Sequence, residues 1–113
     1  MHELTLCRNM VEIIEQEASL QSFQRVETVR MEIGVLSCVE PEALRFCFGT
    51  VTRGTVAEGA RLEIIMMPAE ARCRDCGAER AVDGWGTTCQ ACGSHQLDLR
   101  GGDRMRIKDM EVH

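Results

Sequence analysis

A chain of 113 residues with 44% hydrophobic side chains is long enough for one modest domain plus a small stapled unit. Lys and Arg number 13 against 18 Asp and Glu, a formal charge of −5. That balance argues against a general nucleic-acid binder, which needs a basic face, and against docking on anionic membranes. With three Phe, one Trp and no Tyr, the core must be built from aliphatic residues, Met and Cys.

No apolar run approaches the roughly 20 residues of a membrane span. Glu3 and Arg8 interrupt the first segment, so it does not read as a signal peptide, and a cytoplasmic protein is expected. Residues 3–18 read as a helix, because Cys7, Met10, Val11, Ile14 and Ala18 recur at steps of three and four. Residues 26–33 read as a strand, with Val29, Met31 and Ile33 alternating with Arg30 and Glu32, ended by Gly34. Pro41 suits the first position of a second helix whose buried stripe is Leu44, Cys47, Phe48 and Val51. A second strand follows at 61–67, with Leu62, Ile64 and Met66 on one face, closed by Pro68.

Composition then changes. Residues 69–102 are rich in glycine and poor in large apolar side chains, so no hydrophobic core is expected there and another staple is needed. A last strand, about 104–112, carries Met105 and Ile107 in one phase and Met110 and Val112 in the other. It is expected to return to the first sheet. The fold class is therefore α+β: two helices packed on a small mixed three-stranded sheet, residues 1–68 plus 103–113, with an inserted zinc-ribbon-like domain at 69–102.

The inserted stretch carries the chemistry. Cys73-Arg-Asp-Cys76 and Cys89-Gln-Ala-Cys92 stand twelve residues apart, each pair followed by a glycine, Gly77 or Gly93. Four thiolates so arranged surround one ion tetrahedrally, and zinc is the default occupant. All four ligands come from the protein, so no coordination position is open and the site reads as structural. Of the three other cysteines, Cys7 and Cys47 fall on apolar helical faces and are expected to be buried, whereas Cys38 lies in a turn.

A second metal site is suggested at the chain's first residues. The amino group of Met1, the amide nitrogen of His2 and the His2 imidazole close two fused rings around one ion. Tetragonal nitrogen sets of this kind suit Ni(II) and Cu(II). Glu40, beside a helix start, is explained by the helix dipole and is a secondary ligand candidate. His95 is a candidate supplementary ligand, and His113 is expected to fray. No nucleophile–base pair, phosphate loop or HExxH motif is present, so the chain does not read as an enzyme.

Met1-His2-Glu3-Leu4, Glu32-Ile33-Gly34, the two CxxC pairs and Arg106-Ile107-Lys108 resemble, in order and over essentially the whole length, the HypA/HybF hydrogenase nickel-incorporation proteins. The stretches Met1–Cys7 and Glu32–Glu40 look closer to the HybF branch. The resemblance implies a nickel metallochaperone for [NiFe] hydrogenase maturation. Nickel would be held by the amino terminus, His2 and backbone amides near Glu3, and structural zinc by Cys73, Cys76, Cys89 and Cys92. Glu40 and His95 correspond to further nickel ligands assigned in some members. The implied partners are a HypB-type GTPase and the hydrogenase large subunit. An exposed sheet edge could permit dimers, so a monomer or weak homodimer is expected. Some relatives carry a histidine directly after a CxxC pair, able to replace a sulfur. Here those places are Gly77 and Gly93.

Two other readings compete. A zinc-ribbon adaptor in a nucleic-acid or transcription complex would want a basic patch, yet residues 70–100 hold four Arg against five acidic residues, and only Trp85 could stack on a base. A rubredoxin-like iron carrier would want an aromatic core around the site.

Overall fold

The computed structural model describes residues 3–113. In chain order the elements are α1 (Glu3–Gln21), β1 (Val26–Gly34), α2 (Pro41–Val51), β2 (Arg61–Met67), β3 (Ala69–Cys73), β4 (Glu79–Val82), β5 (Leu97–Arg100) and β6 (Met105–Val112). They group into two compact units. The first runs from α1 through Met31 and adds Val39–Ile65 and Arg106–His113; the second comprises Glu32–Cys38 and Met66–Met105.

In the first unit, α1 buries Cys7, Met10, Ile14 and Ala18, the face that the spacing predicts, with Val11 at its margin. The helix runs three residues past the expected end and stops where Ser22 turns left-handed, at φ 60°. The helix α2 starts with Glu40 as N-cap, its carboxylate accepting the Glu42 N–H at 3.1 Å, and Pro41 follows in the first turn. Leu44 and Phe48 are buried, but Cys47 and Val51 are only half-buried, so the stripe is narrower than expected. The helices run parallel. Glu40 N–H meets the Glu3 carboxylate at 3.2 Å, and the Cys7 thiol meets the Leu44 carbonyl at 3.4 Å, the same offset in sequence both times.

The first sheet has the order β2-β1-β6. Val26 N–H donates to Val56 O and Val35 N–H to Met67 O, both at 2.9 Å, so β1 and β2 run the same way with α2 as their crossover. The bonds from Gln24 to His113 and from Gly34 to Arg104 show β6 running against β1. The sheet is mixed, and the last strand returns to it as expected. Val29, Met31 and Ile33 are buried in alternation along β1, and Val26 and Thr28, in the other phase, are buried as well. Leu62 is the buried residue of β2, whereas Met66 is 45% exposed and does not join the expected face. Arg30 ties the three strands together, with Nε, Nη1 and Nη2 each 2.9 Å from Glu63, Asp109 and Glu111 respectively. His113 does not fray: its N–H donates to Arg25 O at 2.8 Å and its Nε2 lies 2.6 Å from Glu27.

The second unit corrects the expectation that 69–102 lacks a core. The strand β3 pairs antiparallel with β4 on one side (Arg72 opposite Glu79) and with β5 on the other (Cys73 opposite Leu97). Ala69, Ala71 and Val82 are buried with Leu36, and Val35, Leu97 and Leu99 flank them. Leu36 comes from the turn after β1, outside the expected boundaries, and its N–H bonds Gly102 O at 2.5 Å. The segments meet there through glycine. A Cβ on Gly34 would stand 2.1 Å from Gly102 O, and one on Gly102 2.7 Å from the Ala69 Cβ.

Candidate metal centre

The cysteine pairs sit at the ends of the second sheet. Cys73 closes β3, and the turn through Cys76 leads into β4; Cys89 and Cys92 form the equivalent turn before β5. In both turns the glycine N–H returns to the first cysteine's carbonyl, Gly77 to Cys73 at 2.9 Å and Gly93 to Cys89 at 2.7 Å. The two glycines have φ of 76° and 77°, a left-handed conformation that a side chain would strain.

The four sulfurs all lie within 4.8 Å of one another, with Cys73–Cys92 at 3.6 Å and Cys76–Cys89 at 3.5 Å. A zinc ion about 2.3 Å from each sulfur sets tetrahedral edges of about 3.8 Å, so the donor set fits that ion. Cys73 and Cys89 are buried, and Cys76 and Cys92 are exposed. The N–H of Cys76, helped by that of Asp75, favours the Cys73 thiolate and pulls its pKa down. Those of Cys92 and Ala91 do the same for Cys89. Cys76 and Cys92 also receive N–H groups, from Ala78 and Ser94. The adjacent sulfurs and burial outweigh these, and both pKa values rise. Four crowded thiolates cannot all ionise unaided, and a divalent cation is what would let them.

The other candidates are distributed as follows. Met1 and His2, which carry the expected terminal chelate, lie outside the described residues. Glu3 and Glu40 are brought together at the N-terminal ends of α1 and α2 by their 3.2 Å bond. Neither periodicity nor motif announces that neighbourhood. Cys7 is fully buried beneath it. Burial, then the nearby Cys47 and Glu3, push its pKa up to about 11, as for an inert packing thiol. Cys38 is exposed, as its turn position predicts, with φ 62°. His95 is exposed in the second unit, beside a cleft of about 220 Å³ that it shares with Gly86, Thr87, Leu97 and Leu99, none of which offers an imidazole, thiolate or carboxylate. Sequence reading missed Asp75 and Ser94, whose side chains hydrogen-bond between the two cysteine turns.

Comparison with known proteins gives one answer. The family model for HypA, hydrogenase/urease nickel incorporation metallochaperones, matches residues 1–112. A hydrogenase maturation factor HypA from Alkalilimnicola ehrlichii is 50% identical over 112 residues, covering 99% of this chain and 99% of that protein. Another, from a Bradyrhizobium species, is also 50% identical with the same coverage. In fold, the chain is similar to the solution structure of the Ni metallochaperone HypA from Helicobacter pylori. The TM-score is 0.68 at 24% identity, covering 99% of this chain and 97% of that one. With a family model spanning nearly every residue and relatives at half identity, the chain belongs to the HypA family of nickel-incorporation metallochaperones.

Proposed function

We propose that the chain carries one Ni(II) on its first residues and hands it on for [NiFe] hydrogenase maturation, while zinc in the four-cysteine site holds the second unit together. The observation that carries this reading is the closed all-sulfur set. Zinc has its four ligands there and leaves nothing for exchange. A transferable ion then needs donors elsewhere, and the Met1 amino group, the His2 amide and imidazole and the Glu3 amide form a compact nitrogen set suited to Ni(II).

The start of α1 suits such a site. The first N–H groups of a helix have no intrahelical acceptor, so an amide at Glu3 can lose its proton to solvent and bind a metal through nitrogen without breaking the helix. The partial positive charge of two parallel helix starts works against a cation, and the carboxylates of Glu3, Glu40 and Glu42 oppose it. Glu40, and more remotely in sequence His95, are secondary ligands in this reading. A terminal, few-ligand site also favours release, which a carrier requires. The domains then divide the labour: 1–68 plus 103–113 carry nickel, and 69–102 carry zinc. The partners are a HypB-type GTPase and the hydrogenase large subunit, the setting is the cytoplasm, and the chain works as a carrier rather than an enzyme, as a monomer or weak homodimer.

Metal stoichiometry of the wild-type chain, of His2→Ala and of a chain extended before Met1 tests this. Both changes are expected to abolish nickel binding and leave one zinc and the fold intact. Nickel retained behind a blocked amino terminus would overturn the terminal site.

A further inference from the structure

The two cysteine turns repeat one another from Cys73 to Gly77-Ala78 and from Cys89 to Gly93-Ser94. Their backbone bonds match: Cys73 N–H donates to Ala78 O at 2.9 Å and Cys89 N–H to Ser94 O at 2.8 Å. In this equivalence Asp75 corresponds to Ala91, and Ser94 corresponds to Ala78. The repeat therefore differs at three positions: Arg74 against Gln90, Asp75 against Ala91 and Ala78 against Ser94. On one side of the four sulfurs the Ser94 hydroxyl donates to the Asp75 carboxylate. On the equivalent side stand two alanine methyls, which cannot hydrogen-bond.

The direction of the Ser94 bond is fixed by its surroundings. Its oxygen accepts the Gln96 N–H at 3.0 Å, so its single proton is available for Asp75. Two further links run along the same side. Arg74 N–H donates to Gln96 O at 2.8 Å, and the Arg74 guanidinium holds Asp98 at 2.7 Å. The first turn is thus fastened to the segment leaving the second by bonds that need no metal.

We propose that Asp75 and Ser94 are positioning residues. They form a metal-independent clasp between the two turns that slows loss of the ion held by Cys73, Cys76, Cys89 and Cys92, and the site opens on the unclasped side, at Ala78 and Ala91. The proposal rests on the reading of the four-sulfur set as a zinc site. A closed tetrathiolate lets a competing ligand in only when its two halves part. A hydrogen bond to a carboxylate across those halves adds directly to that barrier.

The test uses the full chain loaded with zinc, and follows zinc transfer to an excess of a chromophoric chelator. Ser94→Ala and Asp75→Ala are each expected to release zinc about five- to tenfold faster, a range set by one charge-assisted hydrogen bond at an exposed position. The double variant is expected to be no faster than either single one, because both remove the same bond. Ser94→Thr keeps the hydroxyl and should keep the wild-type rate. Ala78→Ser combined with Ala91→Asp copies the clasp to the open side and should slow release below wild type. Unchanged rates in Ser94→Ala, multiplicative effects in the double variant, or a Thr variant as fast as the Ala variant would each overturn the clasp. A wild-type chain that takes up no zinc overturns instead the reading beneath it.

Discussion

The Glu40 N–H donates to the Glu3 carboxylate across 3.2 Å, so the first residue of α1 completes the cap of α2. In a capping box, an acid at the third helical position turns back to the N-cap N–H. Here that position is Ala43, and Glu3 performs the task from the neighbouring helix. The bond also sets the relative level of two helices whose starts carry Glu3 and Glu40, two of the candidate nickel ligands.

Glu3→Ala should therefore destabilise the chain by about 0.5–1 kcal/mol, the worth of one cap with its dipole contribution. Glu3→Gln retains an oxygen that can accept the same N–H and should recover most of that loss. Urea denaturation followed by helical circular dichroism separates the two. Equal destabilisation by both variants would mean that charge rather than capping is what matters.

A larger effect is expected at Gly34. Its missing side chain is what lets Gly102 O approach, and an added Cβ would stand 2.1 Å from that oxygen, far inside contact distance. The obstacle is backbone, which cannot rotate away. Leu36 N–H, which bonds the same oxygen, would be displaced with it. Gly34→Ala should cost more than about 2 kcal/mol, in the range of overpacked core sites. Gly49→Ala, where a Cβ meets nothing within 4 Å and the residue lies inside α2, should be neutral or mildly stabilising and serves as the control. Paired chemical denaturation curves check both.

These two positions show what a linear reading can and cannot reach. The helix faces, β1 and the four cysteines were legible because each is written in local spacing: steps of three and four, alternation, and paired CxxC turns. The sheet β3-β4-β5 was not. Its strands are four or five residues long, and its inner face uses Ala69, Ala71 and Val82, too small to register as a hydrophobic period. The residue that completes that face, Leu36, arrives from the turn after β1. Arg30 looked like an ordinary outward residue of a strand, because Glu63, Asp109 and Glu111 reach it only through strand order. Asp75 and Ser94 carried a weak signal, visible once the two cysteine turns are aligned and their mismatched positions are read.

Cys7 should give the first unit a pH signature. Burial holds its thiol neutral in the folded chain, with a pKa of about 11 against an ordinary value of 9.0. Between these values the unfolded chain has released the proton and the folded chain has not. Stability should thus be unaffected by this group below about pH 9 and should fall as pH rises towards about 11, by on the order of 1–2 kcal/mol. Cys7→Ser, whose hydroxyl does not titrate there, should flatten that part of the profile. A profile unchanged by the substitution would assign the loss to other groups.

Removal of zinc should act on the second unit selectively. Its apolar cluster contains two alanines, one valine and one leucine as buried residues, too little surface to hold three short strands. Its cysteine turns otherwise crowd sulfurs whose ionisation only a cation relieves. Chelation, or Cys73→Ala, should therefore abolish hydrogen-exchange protection across 69–102. The amides of α1 and α2 should keep theirs, because Cys7, Met10, Ile14, Leu44 and Phe48 are buried in the first unit without reference to the metal. Gly102 O and Leu36 N–H provide the internal marker, since their bond joins β1's following turn to the end of the zinc unit. If the Leu36 amide exchanges at the rate of the 69–102 amides after chelation, the turn after β1 melts with the zinc unit. If the 69–102 amides stay protected without metal, the small core is sufficient and the structural role of zinc is wrong.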